Sequence, residues 1–338
     1  MDEGTPPTVS VIIPTYNRAE MLSDSTASVL SQGYQDLELL IIDDGSTDRT
    51  PDLVLQIQSD DGRVRYIQHP QNLGVGAARD TGIKNARGDY IAFADSDDLW
   101  LAGKLEQQVN ILEEHPQIDI LFADFINHDL QSGARTNAFT QTRLGLAQLD
   151  TTPVDGDLWM VNDGLARGLL IKNFIQLGTL LIRRELIARV GSFYSQLSGP
   201  EDFEFCWRAA VRGARYAFTR DIFVERRINP SSITTNQVGS WCRYIEALHV
   251  CKQTATTASR SELLASLQSA EQRAWRNLIW IHGSNAHRSQ AFSAYQQSLQ
   301  VGFSAKNLFF LSTALIGPSA IGLSRKLMGI REQFGNLG

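Results

Sequence analysis

The sequence predicts an α/β protein, a mostly parallel sheet flanked by helices, followed by a helical C-terminal extension. Three observations point there. Short apolar, β-rich runs alternate with helix-periodic segments through Phe122. The most polar clusters follow directly on those runs, where open α/β sheets place their ligands. From Gly239 onward only helical periodicity remains.

The elements follow in order. Val9–Pro14 is an apolar run closed by proline and predicts a buried strand; residues 19–31 predict a helix around Leu22, Val29 and Leu30. Leu37–Ile42 predicts the second strand, Asp48–Ser59 a helix, Val64–Ile67 the third strand and Gly76–Asn85 a helix. Tyr90–Ala94 predicts the fourth strand. Leu105, Val109 and Leu112 then share a helix face that Pro116 stops, and Ile118–Phe122 predicts a fifth strand. Residues 124–173 are rich in Gly, Thr, Asn and Gln with weak periodicity and read as acceptor-side loops. Thr179–Ile182 predicts a strand, Glu201–Arg212 a helix, and Ala214–Val224 one or two strands. Trp241, Tyr244 and Leu248, then Leu263, Leu264 and Leu267, then Trp275, Leu278 and Ile279 recur at helical spacing. Two domains follow, 1–235 and 236–338.

The 338 residues are 43% hydrophobic and 20% charged, the makeup of a folded protein rather than a disordered one. The net charge of −6 hides a split. Residues 1–235 carry 21 basic and 33 acidic side chains, a net −12, whereas residues 236–338 carry 10 and 4, a net +6. An acidic front part argues against nucleic acid as a partner and supplies what a divalent cation needs. Cys206, Cys242 and Cys251 form no CxxC pair, and the N-terminus has neither the basic start nor the apolar run of a signal peptide, so a cytoplasmic setting is expected.

Two carboxylates two apart, Asp95 and Asp97, flank Ser96 at a predicted strand end. Mg²⁺ and Mn²⁺ bind through one or two carboxylates plus phosphate oxygens, so this pair suits a metal that neutralises a diphosphate leaving group. The plainer reading is a solvated turn, with Asp98 capping a following helix. Asp43 and Asp44 follow the second strand, where a carboxylate can accept from a base or ribose, or where Thr47 and Asp48 simply cap the next helix. Glu201 and Asp202 precede Phe203, Phe205, Cys206 and Trp207. Apolar surroundings raise a carboxylate's pKa and suit it to act as general base, although a helix N-terminus attracts acids by itself. The Gly74-Val75-Gly76 sequence does not make a dinucleotide fingerprint, because it follows the third strand and lacks the third glycine. Arg79 beyond it is a candidate phosphate contact.

In order, Val9–Arg18 (VSVIIPTYNR), Leu40–Asp48 (LIIDDGSTD), Asn72–Gly82 (NLGVGAARDTG), Gly88–Asp98 (GDYIAFADSDD), Thr179–Phe193 (TLLIRRELIARVGSF) and Glu201–Arg208 (EDFEFCWR) resemble glycosyltransferase family 2 over about residues 8–235. The resemblance implies the GT-A type nucleotide-diphospho-sugar transferase fold and an inverting, metal-dependent transfer of a sugar to an acceptor hydroxyl, in surface polysaccharide or glycolipid synthesis. It implies that Pro14, Thr15, Tyr16, Asn17 and Asp44 hold the nucleoside, that Arg79 approaches the diphosphate, and that Asp95 and Ser96 contact the donor. Asp97, with Asp95, would bind Mn²⁺ or Mg²⁺; Asp202 would be the base, with Glu201 beside it. The donor would be a nucleotide-diphospho-sugar, a UDP-sugar first, and the acceptor a glycan or lipid-linked sugar. Two departures stand out. The family's Ala-Arg-Asn reads Ala78-Arg79-Asp80, and Asn229 takes the place of a frequent histidine, with Arg226 or Arg227 nearby to supply charge instead.

Leu308–Ile316 is an unbroken apolar run flanked by Lys306 and by Arg325, Lys326 and Arg331. Spanning a bilayer takes about 20 apolar residues, so this run is too short. It reads either as an interfacial segment over residues 303–331, peripheral at the inner face of the plasma membrane, or as a helical appendage packed on protein. Two other functions compete with transfer. A phosphoryl-transfer hydrolase would place an aspartate after the first strand, where this chain has Pro-Thr-Tyr-Asn. A non-catalytic nucleotide-sugar-binding subunit of a glycan assembly complex is the second, supported by the Asn229 departure.

Overall fold

The computed structural model describes residues 6–228 and 237–316. The chain divides into two compact units, residues 1–230 and 231–338. In the first unit the elements run β1 (Val9–Thr15), α1 (Ala19–Leu30), β2 (Leu37–Asp43), α2 (Thr50–Asp60), β3 (Val64–Gln68), α3 (Val75–Asn85), β4 (Tyr90–Phe93), β5 (Leu99–Trp100) and α4 (Lys104–Glu114). They continue through β6 (Ile120–Asp129), β7 (Arg135–Asn137), α5 (Ala138–Gln141), α6 (Arg143–Leu146), β8 (Asp150–Asp155), β9 (Leu158–Asp163) and α7 (Leu165–Ile171). A 3₁₀ turn at Leu177–Thr179 leads to β10 (Leu181–Arg183), α8 (Arg184–Val190), α9 (Glu201–Val211) and β11 (Tyr216–Ile228).

The strands form one 11-stranded sheet in the order β3-β2-β1-β4-β10-β6-β11-β9-β8, with β5 on β11 and β7 on β6. β1 pairs in parallel with β2 and β4, β2 with β3, and β6 with β11. β10 lies antiparallel between β4 and β6. All seven residues of β1 and of β2 are buried, as expected of parallel strands covered on both faces. Helix α3 lies unusually close to β1. A Cβ on Gly82 would come within 2.4 Å of Ile12 Cγ2, so only glycine allows this approach. The chain turns outward from β1 to β2 and β3, then returns to β4 on the other side of β1. That reversal opens a crevice beyond the carboxyl ends of β1 and β4.

The predicted, mostly parallel sheet and the helices around it are present, with two differences. Residues 124–173 are structured: β6 runs on to Asp129, β8 and β9 form a hairpin, and the short helices α5 to α7 connect them. Their polar, half-exposed sequence hid the hairpin, since only Leu158 among its strand residues is buried. Asp98 precedes the two-residue strand β5 rather than a helix, and α4 begins only at Lys104. The one or two strands expected over Ala214–Val224 are the single strand Tyr216–Ile228, which carries two register shifts against β6.

The second unit holds α10 (Gln237–Thr257), α11 (Leu264–Ser284), α12 (Arg288–Val301) and α13 (Ala305–Ile316). Leu248, Leu267, Leu278, Ile279 and Phe310 are buried in it. The amide of Gln272 donates to Ser298 O at 2.9 Å and Gly302 O at 2.6 Å, and Asn307 Nδ2 donates to Gln272 Oε1 at 2.6 Å, which ties the turn between α12 and α13 to α11. Buried Glu271 accepts from His249 Nε2 at 2.9 Å and from Lys252. None of the described helices is long and apolar enough to cross a membrane.

Candidate donor-binding and catalytic site

The loops after β1, β2 and β4 meet at the crevice. The backbone N–H of Asp44 donates to Thr15 O at 2.8 Å. Asn17 takes a left-handed φ of 51°. Its N–H donates to Ser46 Oγ at 2.9 Å while its Oδ1 accepts from Thr47 N at 2.8 Å and Asp48 N at 3.3 Å. Asparagine tolerates that backbone and fills both hydrogen-bonding roles. Pro14 and Thr15 are buried at the end of β1, whereas Tyr16 stands 44% exposed, its ring presented to the solvent side of the loop.

Asp44 is buried, and its carboxylate is engaged by protein. Oδ1 accepts from Leu73 N at 2.9 Å and lies 2.7 Å from His69 Nδ1; Oδ2 accepts from Gly74 N at 2.7 Å. A carboxylate out of water needs such donors. These contacts fix the loop leading into α3. Gly45 next to it has φ 79°, and a Cβ there would come within 2.6 Å of Gln71 C.

The β4 loop concentrates negative charge. Asp95 and Asp97 are half-buried, and Ser96 and Asp98 are buried. Burial, with Asp95 beside it, holds the Asp97 carboxyl above the usual range, while Arg18 and Arg226 pull the other way. Burial together with Asp95 and Asp97 pushes Asp98 well up, against Arg226 and the Arg227 N–H. Asp97 has one ion pair, a loose one of 4.0 Å to Arg18 Nη2. Asp98 is held from both sides: Oδ2 accepts from Gln176 Nε2 at 2.9 Å and Oδ1 from Arg227 N at 3.0 Å. The same amide of Gln176 reaches Asp95 Oδ2 at 3.3 Å. The Arg227 guanidinium donates to Asp97 O at 2.5 Å and to Asp24 Oδ2 at 3.0 Å.

Arg79 joins this loop to α9. Its guanidinium is buried, donates to Asp95 Oδ1 at 2.8 Å, and contacts Glu201 Oε1 through the other terminal nitrogen. Phe193 covers one face, its ring centroid 5.8 Å away. Glu201 and Asp202 open α9, where three acids occupy the first turn beside the positive end of the helix dipole. Burial raises the Glu201 carboxyl and the neighbouring Arg79 lowers it, with Asp202 adding a smaller rise. Asp202 is half-buried, and its Oδ1 accepts from Phe203 N at 2.7 Å. Residues predicted from opposite parts of the sequence therefore meet at one guanidinium. Arg79, expected at the diphosphate, clamps Asp95 to Glu201. Gln176 and Arg18 were not foreseen, and no local pattern marks them. Asn229 lies outside the described residues.

Three polar atoms around this end of the sheet are buried without a hydrogen-bond partner: Thr15 Oγ1, Arg79 Nε and Gln176 Oε1. Such atoms in a folded protein call for a water or a ligand. Among the described residues no three His, Cys, Asp or Glu side chains converge as a protein-only metal cage. Hard cations of the Mg²⁺ or Mn²⁺ kind need only one or two carboxylates when phosphate oxygens complete their shell. Asp97 is the carboxylate left most open for it, because both oxygens of Asp95 already accept protein hydrogen bonds.

Known proteins share these features. The profile of glycosyl transferase family 2 matches residues 10–170. A glycosyltransferase of Haemophilus influenzae is 44% identical over 110 residues, 32% of this chain and 44% of that one. The Escherichia coli enzyme WfgD, a UDP-Glc:alpha-D-GlcNAc-diphosphoundecaprenol beta-1,3-glucosyltransferase, is 43% identical over 104 residues, 31% of this chain and 40% of WfgD. The chain thus spans under half the length of both relatives. The putative teichuronic acid biosynthesis glycosyltransferase TuaG of Bacillus subtilis is 29% identical over 255 residues, 73% of this chain and 92% of TuaG. Among solved structures, Staphylococcus aureus TarS 1–349 in complex with UDP-GlcNAc superposes with a TM-score of 0.63 at 18% identity, covering 95% of this chain and 92% of that one. The mannosyltransferase PcManGT of Pyrobaculum calidifontis, in complex with GDP-Man and Mn²⁺, gives 0.57 at 16% identity, covering 97% and 89%. Over residues 10–170 the chain is thus similar to glycosyl transferase family 2, and its fold is that of the TarS and PcManGT structures.

Proposed function

We propose that this protein transfers a sugar from a nucleotide-diphospho-sugar to an acceptor hydroxyl, with inversion, in the synthesis of a surface polysaccharide or glycolipid. The observation that carries the proposal is the Arg79 clamp. It brings the β4 loop with Asp95 and Asp97 to the start of α9 with Asp202, so donor-binding and proton-accepting groups face one crevice.

The nucleoside lies on the β1 and β2 loops, with Tyr16 against the base. Asp97, assisted by Asp95, holds Mn²⁺ or Mg²⁺, which neutralises charge on the departing diphosphate. Asp202 accepts the proton of the acceptor hydroxyl as its oxygen bonds to the anomeric carbon. The bond from that carbon to the diphosphate breaks with the electron pair on the diphosphate oxygen, in a single displacement that inverts configuration. Glu201 and Arg79 act by position: they fix the turn on which Asp202 sits and the orientation of Asp95. A UDP-sugar is the first donor to test, since the relative WfgD uses one and TarS binds one by their descriptions. WfgD acts on an undecaprenol-diphosphate-linked sugar, which makes a lipid-linked acceptor the first class to try.

The test is calorimetric binding of a panel of nucleotide sugars, with and without Mn²⁺ or Mg²⁺, on the wild type and Asp97→Ala. Metal-dependent binding of one donor, weakened at least tenfold in Asp97→Ala, is expected. Absence of binding by every donor, with or without metal, would overturn the transferase reading.

A further inference from the structure

Helix α13 is apolar on both its faces, unlike an ordinary solvated surface helix. Its buried face includes Asn307 and Thr313 among Phe310, Leu311 and Ala314, whereas its exposed face carries Leu308, Phe309, Leu315 and Ile316. Ile316 is 73% exposed and Phe303, just before the helix, 71%. Exposed Phe292 and Leu299 on α12 add to the apolar outer surface of the same helical unit. Water-facing helices normally put charge at such positions, and exposed apolar patches mark binding surfaces.

The charge pattern indicates what covers this face. Between Glu271 and Glu332 the sequence contains no Asp or Glu, yet it holds seven Lys and Arg, namely Arg273, Arg276, Arg288, Lys306, Arg325, Lys326 and Arg331. A protein partner made of ordinary mixed-charge surface gives no reason for so one-sided a stretch. An anionic lipid surface does: apolar side chains enter the headgroup boundary while basic ones attract the phosphates, each contributing about 1 kcal/mol near the surface. None of the described helices spans, so the contact lies in the plane of the membrane.

We propose that the α12–α13 face of the helical unit is a docking surface for an anionic bilayer. The surface rests on no part of the donor site, and it stands or falls separately from the transferase reading.

Co-sedimentation of the full chain with vesicles tests it, comparing pure phosphatidylcholine with an equal mixture of phosphatidylcholine and phosphatidylglycerol. Binding is expected to the mixed vesicles only, weakening as salt is raised. The double variant Phe303→Glu, Ile316→Glu should bind at least tenfold less, with its melting temperature and donor affinity unchanged because these side chains are 71% and 73% exposed. Lys306→Glu should weaken binding less and flatten the salt dependence. Failure to bind anionic vesicles, or equal binding by wild type and double variant, overturns the proposal. So does light scattering that shows a dimer which the double variant abolishes while vesicle binding persists, because the face then belongs to a second copy of the chain.

Discussion

One amide holds two of the three carboxylates that make the β4 loop acidic. Gln176 donates to Asp95 and to Asp98 across 81 and 78 residues of sequence, from a segment that otherwise looks like a plain apolar approach to a strand. Gln176→Leu removes those donors from carboxylates out of water, which costs about 1–3 kcal/mol per unsatisfied group. The expected result is roughly a tenfold loss of metal-dependent donor affinity, read by calorimetry, while binding of the metal-free nucleoside stays near wild type. Asp95 and Asp97 stand out in the sequence because they follow a predicted strand, and Asp202 because it opens a predicted helix rich in aromatic residues. Gln176 and Arg18 do not, since the contacts that matter arise from tertiary approach. Asp44 shows the opposite limit: its position was legible, but its donors from Leu73, Gly74 and His69 were not.

Helix α4 carries a buried lysine near its start. Lys104 is fully buried, donates to Gln108 Oε1 at 2.6 Å, and lies 4.2 Å from the Trp100 ring centre. Burial alone brings its pKa from 10.5 down to about 7. Below pH 7 both the folded and the unfolded chain hold the proton, and the folded state bears the full cost of an interior ammonium. Between pH 7 and 10.5 only the unfolded chain holds it, so this group makes stability rise with pH through that window. Lys104→Met is therefore expected to stabilise the first unit by about 2 kcal/mol at pH 6, after allowing for the unpaired Gln108 oxygen, with the gain shrinking toward pH 10. Thermal melts at stepped pH check it. Buried lysine inside an amphipathic pattern reads as a polar position, so the sequence showed the helix and not the charge inside it. The β8–β9 hairpin was missed for a related reason: with one buried side chain in its two strands, it offers almost no alternation to detect.

The whole molecule consists of two units of opposite charge and different class, an acidic α/β unit and a basic helical one. Each has its own buried core, so each is expected to fold by itself. Residues 1–230 produced alone should melt cooperatively and bind the nucleotide donor with the affinity of the full chain, as circular dichroism and calorimetry would show. Loss of donor binding in that fragment would mean that the helical unit contributes to the donor site. In the sequence, the charge split and the change in periodicity near Gly239 predict domains of residues 1–235 and 236–338.

The seam at β10 has a consequence for how the protein is made. β4 ends at Phe93 and β6 starts at Ile120, but the three residues that join them in the sheet are Leu181–Arg183. A ribosome therefore delivers β4 and β6 well before the strand that fastens them together, and β11 later still. Until then β4 and β6 present open edges, the kind of surface that invites pairing with another chain. A nascent chain stalled at residue 170, where the family 2 match ends, would hold most of the donor-side aspartates and still be unable to close its sheet.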